Sequence, residues 1–254
     1  MTRLLLLGGT TEASHLARAL AEAGVEAIFS YAGRTDHPVA QPLPTRVGGF
    51  GGVEGLADYI RAQEVTHLVD ATHPFAARMS CNAVMACALT GTRLCAYERP
   101  AWQAGPGDDW RQVAGMEEAV DALPDTPARV FLAIGKQHLT AFARRPRHHY
   151  LLRLVDPPES PLPLPDAEAV IARGPFTEAG DLALLQRHRI SHIVAKNAGG
   201  AGAEAKLKAA RILRIPVILI ERPQLPARTV LGSPADLFDW LGRMGNIAHP
   251  TGGS

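Results

Sequence analysis

The chain has 254 residues, enough for one large or two medium domains, each able to bury a core of its own. Its 26 lysines and arginines nearly balance 25 aspartates and glutamates, so no overall field argues for nucleic acid or an anionic membrane surface. Any anion site has to be local.

Residues 3–7 are an apolar run leading into Gly8-Gly9-Thr10-Thr11-Glu12-Ala13, which reads as strand, tight turn and the start of a helix over 11–23. The apolar part is too short for a signal-peptide core or a membrane span, so a cytoplasmic protein is expected. Both glycines let the backbone approach a ligand, and the helix end offers N–H groups to a nucleotide pyrophosphate. The spacing is not G-x-G-x-x-G, and a plain strand-to-helix turn is the alternative. A second strand, 26–31, ends in Ala32-Gly33-Arg34-Thr35, where a dinucleotide fold places the adenosine ribose. Ser30, Tyr31, Arg34 and Thr35 stand there in place of an acidic residue. Arginine with hydroxyl neighbours suits a 2′-phosphate. One good Arg34 contact would favour NADPH over NADH by about one to two decades. An exposed turn arginine is the other reading.

After a proline-rich stretch, 36–44, Gly48-Gly49-Phe50-Gly51-Gly52 reads as a mobile loop with an aromatic tip, either closing over a ligand or merely connecting. Helix 53–63 and strand 67–70 follow. The alternation of strand and helix predicts a parallel sheet with right-handed crossovers. Asp70-Ala71-Thr72-His73-Pro74-Phe75-Ala76 then falls at a strand's carboxyl end, where such sheets bind ligands. Pro74 fits the first turn of helix 75–89, with Thr72 or His73 as its cap. His73 could meet the nicotinamide, the substrate or a proton in transit, while Asp70 and Thr72 either join it or only fix the loop. Cys81, Cys87 and Cys95 form no C-x-x-C and are read as reduced thiols, with no metal site.

Strand 92–97 closes in Glu98-Arg99-Pro100, and the Gly, Pro and Asp-rich segment 101–109 marks a domain boundary. Strand 110–113 and helix 116–123 precede a second run of strands at 129–134, 150–154, 169–172, 191–195 and 216–220. Helices are expected from about 138, over 178–188 with Thr177 as N-cap, over 204–214 and over 234–244. Lys136, Arg173 and Lys196 each follow a strand beside glycine or asparagine, the last in Lys196-Asn197-Ala198-Gly199-Gly200. In a parallel sheet all three reach one rim, suited to several carboxylates or phosphates. Gly135-Lys136 lacks the P-loop spacing, so ATP hydrolysis is poorly supported. The domains are thus 1–100 for the nucleotide and 101–245 for an anionic ligand, with 246–254 a disordered tail.

Together the motifs LLLLGGTTEA, YAGRT, GGFGG, DATHPFA, YERPAW, LAIGKQHL, RGPF, AKNAGGAGAEAKLKAA and IPVILIERP resemble the precorrin-6A reductase family of cobalamin biosynthesis, in the family's order over roughly 4–241. The resemblance implies two Rossmann/flavodoxin-like α/β domains with mainly parallel sheets and an active site in the cleft between them. It implies NADPH as cofactor, no metal, and reduction of one double bond of precorrin-6A to give precorrin-6B. The cobalt-containing substrate of the anaerobic branch is not separable by motif. NADPH would engage Gly8, Gly9, Thr10, Thr11, Glu12, Ala13, Tyr31, Gly33, Arg34, Thr35, Thr72 and His73. The polycarboxylate macrocycle would engage Lys136, Arg173, Lys196, Asn197, Gly199 and Gly200, and His73, Lys196 or Asp70 could supply the proton, or water or a substrate carboxyl in place of all three. A monomer is the working expectation, with no nucleic-acid or membrane partner. The rivals are an S-adenosylmethionine-dependent methyltransferase, whose cofactor lacks the phosphate that Arg34 would serve, and a non-catalytic nucleotide-binding protein.

Overall fold

Four consecutive leucines, Leu4–Leu7, form β1 and are all buried, as a strand covered on both faces of a parallel sheet requires. The computed structural model describes residues 2–33 and 39–242, and Arg34, Thr35 and the 246–254 tail lie outside them. After β1 come α1 (Thr11–Glu22), β2 (Ala27–Tyr31), β3 (Thr45–Val47), α2 (Val53–Ala62), β4 (His67–Asp70), α3 (Ala77–Thr90) and β5 (Arg93–Tyr97). The chain continues through β6 (Trp110–Val113), α4 (Met116–Asp121), β7 (Arg129–Ala133), a 3-10 segment (Lys136–Arg144), β8 (His149–Leu154) and β9 (Ala167–Ile171). It closes with α5 (Glu178–Arg187), β10 (His192–Lys196), α6 (Ala205–Leu213), β11 (Val217–Ile220), β12 (Thr229–Leu231) and α7 (Pro234–Gly242).

The strands form two six-stranded sheets, ordered β12-β5-β4-β1-β2-β3 and β6-β11-β10-β7-β8-β9. Every pairing is parallel. From its β3 edge the first sheet has the strand order of a dinucleotide-binding fold, with β12 in sixth place, and the order reverses between β1 and β4. The second repeats it from β9, with β6 in sixth place.

Side chains of β1 alternate between two cores. Leu4 and Leu6 meet Leu16 and Leu20 of α1 with Phe29, while Leu5 and Leu7 meet Leu56 and Ile60 of α2 with Cys87 of α3. In the second sheet Phe131, Leu151, Ile193 and Leu219 pack against Leu185 and Leu207.

Two compact units result, 1–100 with 224–254, and 101–223. The assignment of 101–245 to one domain is therefore corrected for 224–242. Thr229↔Cys95 to Leu231↔Tyr97 pairing adds β12 to the first sheet, and Leu237 and Leu241 of α7 enter the first core. The helix expected at 75 starts at Ala77 without a side-chain cap, because Asp70 holds Thr72 and the chain turns once more at His73, whose carbonyl accepts the Ala76 N–H at 2.7 Å.

Candidate functional site

The reversal between β1 and β4 is built from the two stretches richest in chemistry. Leu7 and Asp70 are paired, the Ala71 N–H donates to the Leu7 carbonyl at 2.9 Å, and the Thr10 hydroxyl donates to the Ala71 carbonyl at 3.1 Å. Thr10 also caps α1, its Oγ1 accepting the Ala13 N–H at 3.1 Å. The N–H groups of Thr11 and Glu12, which have no helical carbonyl before them, are left for the open end. Gly9 has φ +121°, and a Cβ there would meet nothing within 4 Å, so the backbone faces open space. Gly8 is fixed by packing instead, since its Cβ would fall 2.1 Å from Cζ of Phe29. Glu12 would repel a phosphate, but its carboxylate pairs with Arg99 at 2.5 Å.

Across the turn, Asp70 is buried and its Oδ1 accepts from the Thr72 hydroxyl at 2.7 Å and the Thr72 N–H at 3.2 Å. It shapes the loop from beneath. His73 is exposed, and its Nδ1 accepts the Phe75 N–H at 3.2 Å, which leaves Nε2 as the protonated nitrogen of the neutral ring.

At the ends of β2 and β3, the Tyr31 hydroxyl donates to the Val39 carbonyl at 2.8 Å, and Gly33 sits at φ +74°. Arg46 donates to Ser30 Oγ at 2.8 Å and to the Gly48 and Gly49 carbonyls at 2.9 and 3.1 Å, and its guanidinium lies 3.9 Å from the Phe50 ring centroid. Phe50 also packs edge-on against Tyr59 at 5.2 Å. The aromatic tip expected to be mobile is thus clamped. The side of the reversal formed by β4 and β5 has a narrow crevice lined by Thr10, Thr72, Pro74, Tyr97, Glu98 and Arg99. Burial, then the charges of Glu12 and Asp236, push the Tyr97 phenol up, so it stays protonated at neutral pH.

In the second unit the carboxyl ends of β9, β7 and β10 carry Arg173, Lys136 and Lys196 to one rim. Lys136 and Arg173 are exposed, and Lys196 is half-buried. His138, on the 3-10 segment after β7, has its pKa lowered by burial and then by the Lys196 charge, which keeps it neutral at pH 7. Arg153 of β8 stacks over Phe176 at 4.0 Å and pairs with Asp181, bracing the loop that carries Arg173. Asn197 is buried, its Oδ1 accepting the Trp102 N–H at 2.8 Å and its Nδ2 donating to the Trp102 carbonyl at 3.1 Å. Trp102 Nε1 donates to the Gly200 carbonyl at 3.0 Å, and Arg222 donates to the Asn197 and Ala198 carbonyls, each at 3.1 Å. Gly199 and Gly200, at φ +69° and +76°, are thereby held in a braced turn. A wider concavity of about 290 Å³, lined by Arg129, Arg147, Arg189 and His149, opens at the amino ends of this sheet. Parallel sheets bind ligands at the other end, so it is not taken as the site.

The family model of the precorrin-6x reductases CbiJ/CobK matches residues 3–242. The chain belongs to the precorrin-6x reductase family. It is 66% identical to the precorrin-6A reductase of Rhodobacter capsulatus, over 99% of this chain and 100% of the relative. It is 31% identical to the cobalt-precorrin-6A reductase of Priestia megaterium, over 89% of this chain and 93% of the relative. A solved structure titled CobK precorrin-6A reductase superposes with a TM-score of 0.94 at 66% identity, covering 96% of this chain and 98% of that one.

For a precorrin-6x reductase, the first unit fits a nicotinamide dinucleotide in one observable respect: open space faces the left-handed Gly9 beside a capped helix start. The residues expected from Gly8 to Ala13, with Asp70, Thr72 and His73, are brought together at the strand-order reversal, and the six macrocycle candidates lie in the second unit. Sequence reasoning did not single out Tyr97 and Glu98, which line the crevice, or His138, which feels the Lys196 charge. A signal existed for Glu98, since Glu-Arg-Pro recurs at 98–100 and 221–223, each time after a fifth-place strand.

Proposed function

We propose that this protein reduces one double bond of precorrin-6A to give precorrin-6B, with NADPH as the hydride donor, in cobalamin biosynthesis. The supporting observation is the dinucleotide-type strand order, with a glycine turn and helix start at its reversal, in a member of the precorrin-6x reductase family. NADPH, when bound, supplies the hydride; the protein's part is binding, orientation and proton supply. Gly9, Thr10 and the open N–H groups of Thr11 and Glu12 would take the pyrophosphate, with Gly8 and Ala13, whose N–H groups donate to Ser30 and Thr10, shaping the turn. Glu12 acts on Arg99 instead of the ligand. Tyr31 and Gly33 shape the wall beside the adenosine ribose, and Arg34 with Thr35 would read the 2′-phosphate.

Lys136, Arg173 and Lys196 would hold the macrocycle's carboxylates. Gly199 and Gly200 would present the backbone, while Asn197 holds their turn in place. His73, once its ring is protonated and its Nδ1 no longer accepts the Phe75 N–H, and Lys196 are the side chains that could give the proton, and water or a substrate carboxyl could replace both. Asp70 is assigned to shaping the 70–73 loop, since its Oδ1 is engaged by Thr72. No described helix is long and apolar enough to cross a membrane, and we place the enzyme in the cytoplasm.

Anaerobic mixing of the protein with NADPH and precorrin-6A, following cofactor absorbance, tests the reading. Oxidation that depends on the macrocycle supports it. Binding of S-adenosylmethionine without NADPH would sink it, and NADPH binding without oxidation would leave a nucleotide sensor. Arg34→Ala should weaken NADPH by about tenfold or more and NADH little.

A further inference from the structure

Glu98 follows β5 and lines the crevice beside Thr10 and Thr72, while its backbone N–H donates to the Leu231 carbonyl of β12 at 3.0 Å. Its carboxylate is held by Arg228, whose Nη2 donates to Oε1 from a position 130 residues further along the chain. The Arg228 side chain is 7% exposed. Among the described residues its buried Nε and Nη1 have no hydrogen-bond partner. Stability alone does not account for such a pair. Two unsatisfied buried donors cost free energy, and an apolar replacement of a buried ion pair is often neutral or better. What the guanidinium does achieve is to fix one carboxylate at the edge of the crevice, in the β4, β5 and β12 half of the sheet. In a dinucleotide-binding fold the adenosine half lies over the first three strands, which leaves the nicotinamide half for this side.

We propose that Arg228 is a positioning residue that sets the Glu98 carboxylate to accept hydrogen bonds from the vicinal diol of the ribose on the nicotinamide side of the cofactor. The inference rests on the reductase reading above. A carboxylate has about four acceptor sites on its two oxygens, so it can meet two adjacent hydroxyls while Oε1 also accepts from Arg228, the match used elsewhere in such folds for the adenosine ribose. Arg228 enters on the chain segment that returns from the second unit, so this part of the site is complete only in the full chain.

The full-length protein and the variants Glu98→Ala, Glu98→Gln, Arg228→Met and Arg228→Lys are titrated with NADPH, by its fluorescence, and with adenosine 2′,5′-bisphosphate, which carries the adenosine half alone, by calorimetry. Glu98→Ala and Arg228→Met should weaken NADPH by about tenfold or more and leave the bisphosphate unchanged, with the conservative variants between. Should Arg228→Met fail to fold, Arg228→Lys and Glu98→Gln carry the same comparison. Unchanged NADPH affinity, or equal losses for both ligands, would overturn the inference even if the melting temperature fell. A wild-type protein that binds neither ligand would overturn the reductase reading as well.

Discussion

The turn after β1 depends on the absence of one methyl group at Gly8. A Cβ there would stand 2.1, 2.4 and 2.9 Å from three ring carbons of Phe29, far inside van der Waals contact. Phe29 is fully buried, and its ring packs 4.7 Å from that of Tyr31, so the ring has no free space to enter. In Gly8→Ala either the core repacks or the turn lifts off β2, where the Gly8 N–H now donates to the Ser30 carbonyl at 2.9 Å. Overpacking of this kind costs about 1–3 kcal/mol. Phe29→Leu removes the clashing ring at its own cost of about 0.5–3 kcal/mol. Combined with Gly8→Ala it should cost less than the sum of the single changes, with a coupling of about 1 kcal/mol or more. Urea unfolding of the four proteins measures this cycle, and NADPH titration should show the loss in Gly8→Ala partly restored in the double variant. A Gly8→Ala protein within about 0.5 kcal/mol of wild type, or strict additivity, would refute the steric account.

Asn197→Asp keeps the acceptor for the Trp102 N–H but turns a carboxylate oxygen toward the Trp102 carbonyl; it should lower stability by about 2 kcal/mol or more, read from the urea midpoint. The Arg153–Asp181 pair is buried, with side chains 10% and 4% exposed, so Asp181→Leu alone should cost about 3–5 kcal/mol, and adding Arg153→Met should recover most of it. Burial, and then the Asp70 charge, push the Cys87 thiol up to about 12, and Cys95 moves the same way for the same causes. Above the unfolded thiol value of about 8.5 the folded state holds more protons, so stability should fall by about 1.4 kcal/mol per pH unit for each thiol, with no such effect at lower pH. Unfolding measured at about pH 8 and about pH 10 should show a shallower decline in Cys87→Ala, and equal declines would contradict the assignment.

Where a strand is a run of buried apolar residues, as in β1 or β11, its place is legible from the sequence because a parallel sheet covers both faces. The three-residue strands β3 and β12 are not, since Thr45-Arg46-Val47 and Thr229-Val230-Leu231 are too short for any period and are defined by their partners. The site divides in the same way. Gly8 to Ala13 and Asp70 to His73 are contiguous, so the sequence alone offers them as candidates. What each side chain does there was hidden: Asn197 reads as a ligand contact and proves to be turned onto Trp102, while Asp70 is turned onto Thr72. Glu98 and Arg228 form a pair at a separation of 130 residues, which no local spacing encodes. Phe50 looked free because Arg46, four residues earlier, reads as an ordinary surface charge until β3 is known to lie beside Ser30.

The sixth place in each sheet is filled across the join between units. The chain leaves the first sheet after β5 to form β6 at the edge of the second, and leaves the second after β11 to form β12 at the edge of the first. Both exits read Glu-Arg-Pro, and proline has no N–H with which to continue a ladder. In both, the arginine turns back to brace the unit being left: Arg99 onto Glu12 at the start of α1, Arg222 onto the Asn197 and Ala198 carbonyls after β10. The braced segments are the glycine turn proposed for the cofactor and the glycine turn proposed for the macrocycle. A strand end that only had to stop could use proline alone. An arginine that also anchors a turn proposed to bind would couple the geometry of each candidate half-site to the path the chain takes out of it, so a substitution at Arg99 or Arg222 is expected to act on ligand geometry without either side chain having to touch a ligand.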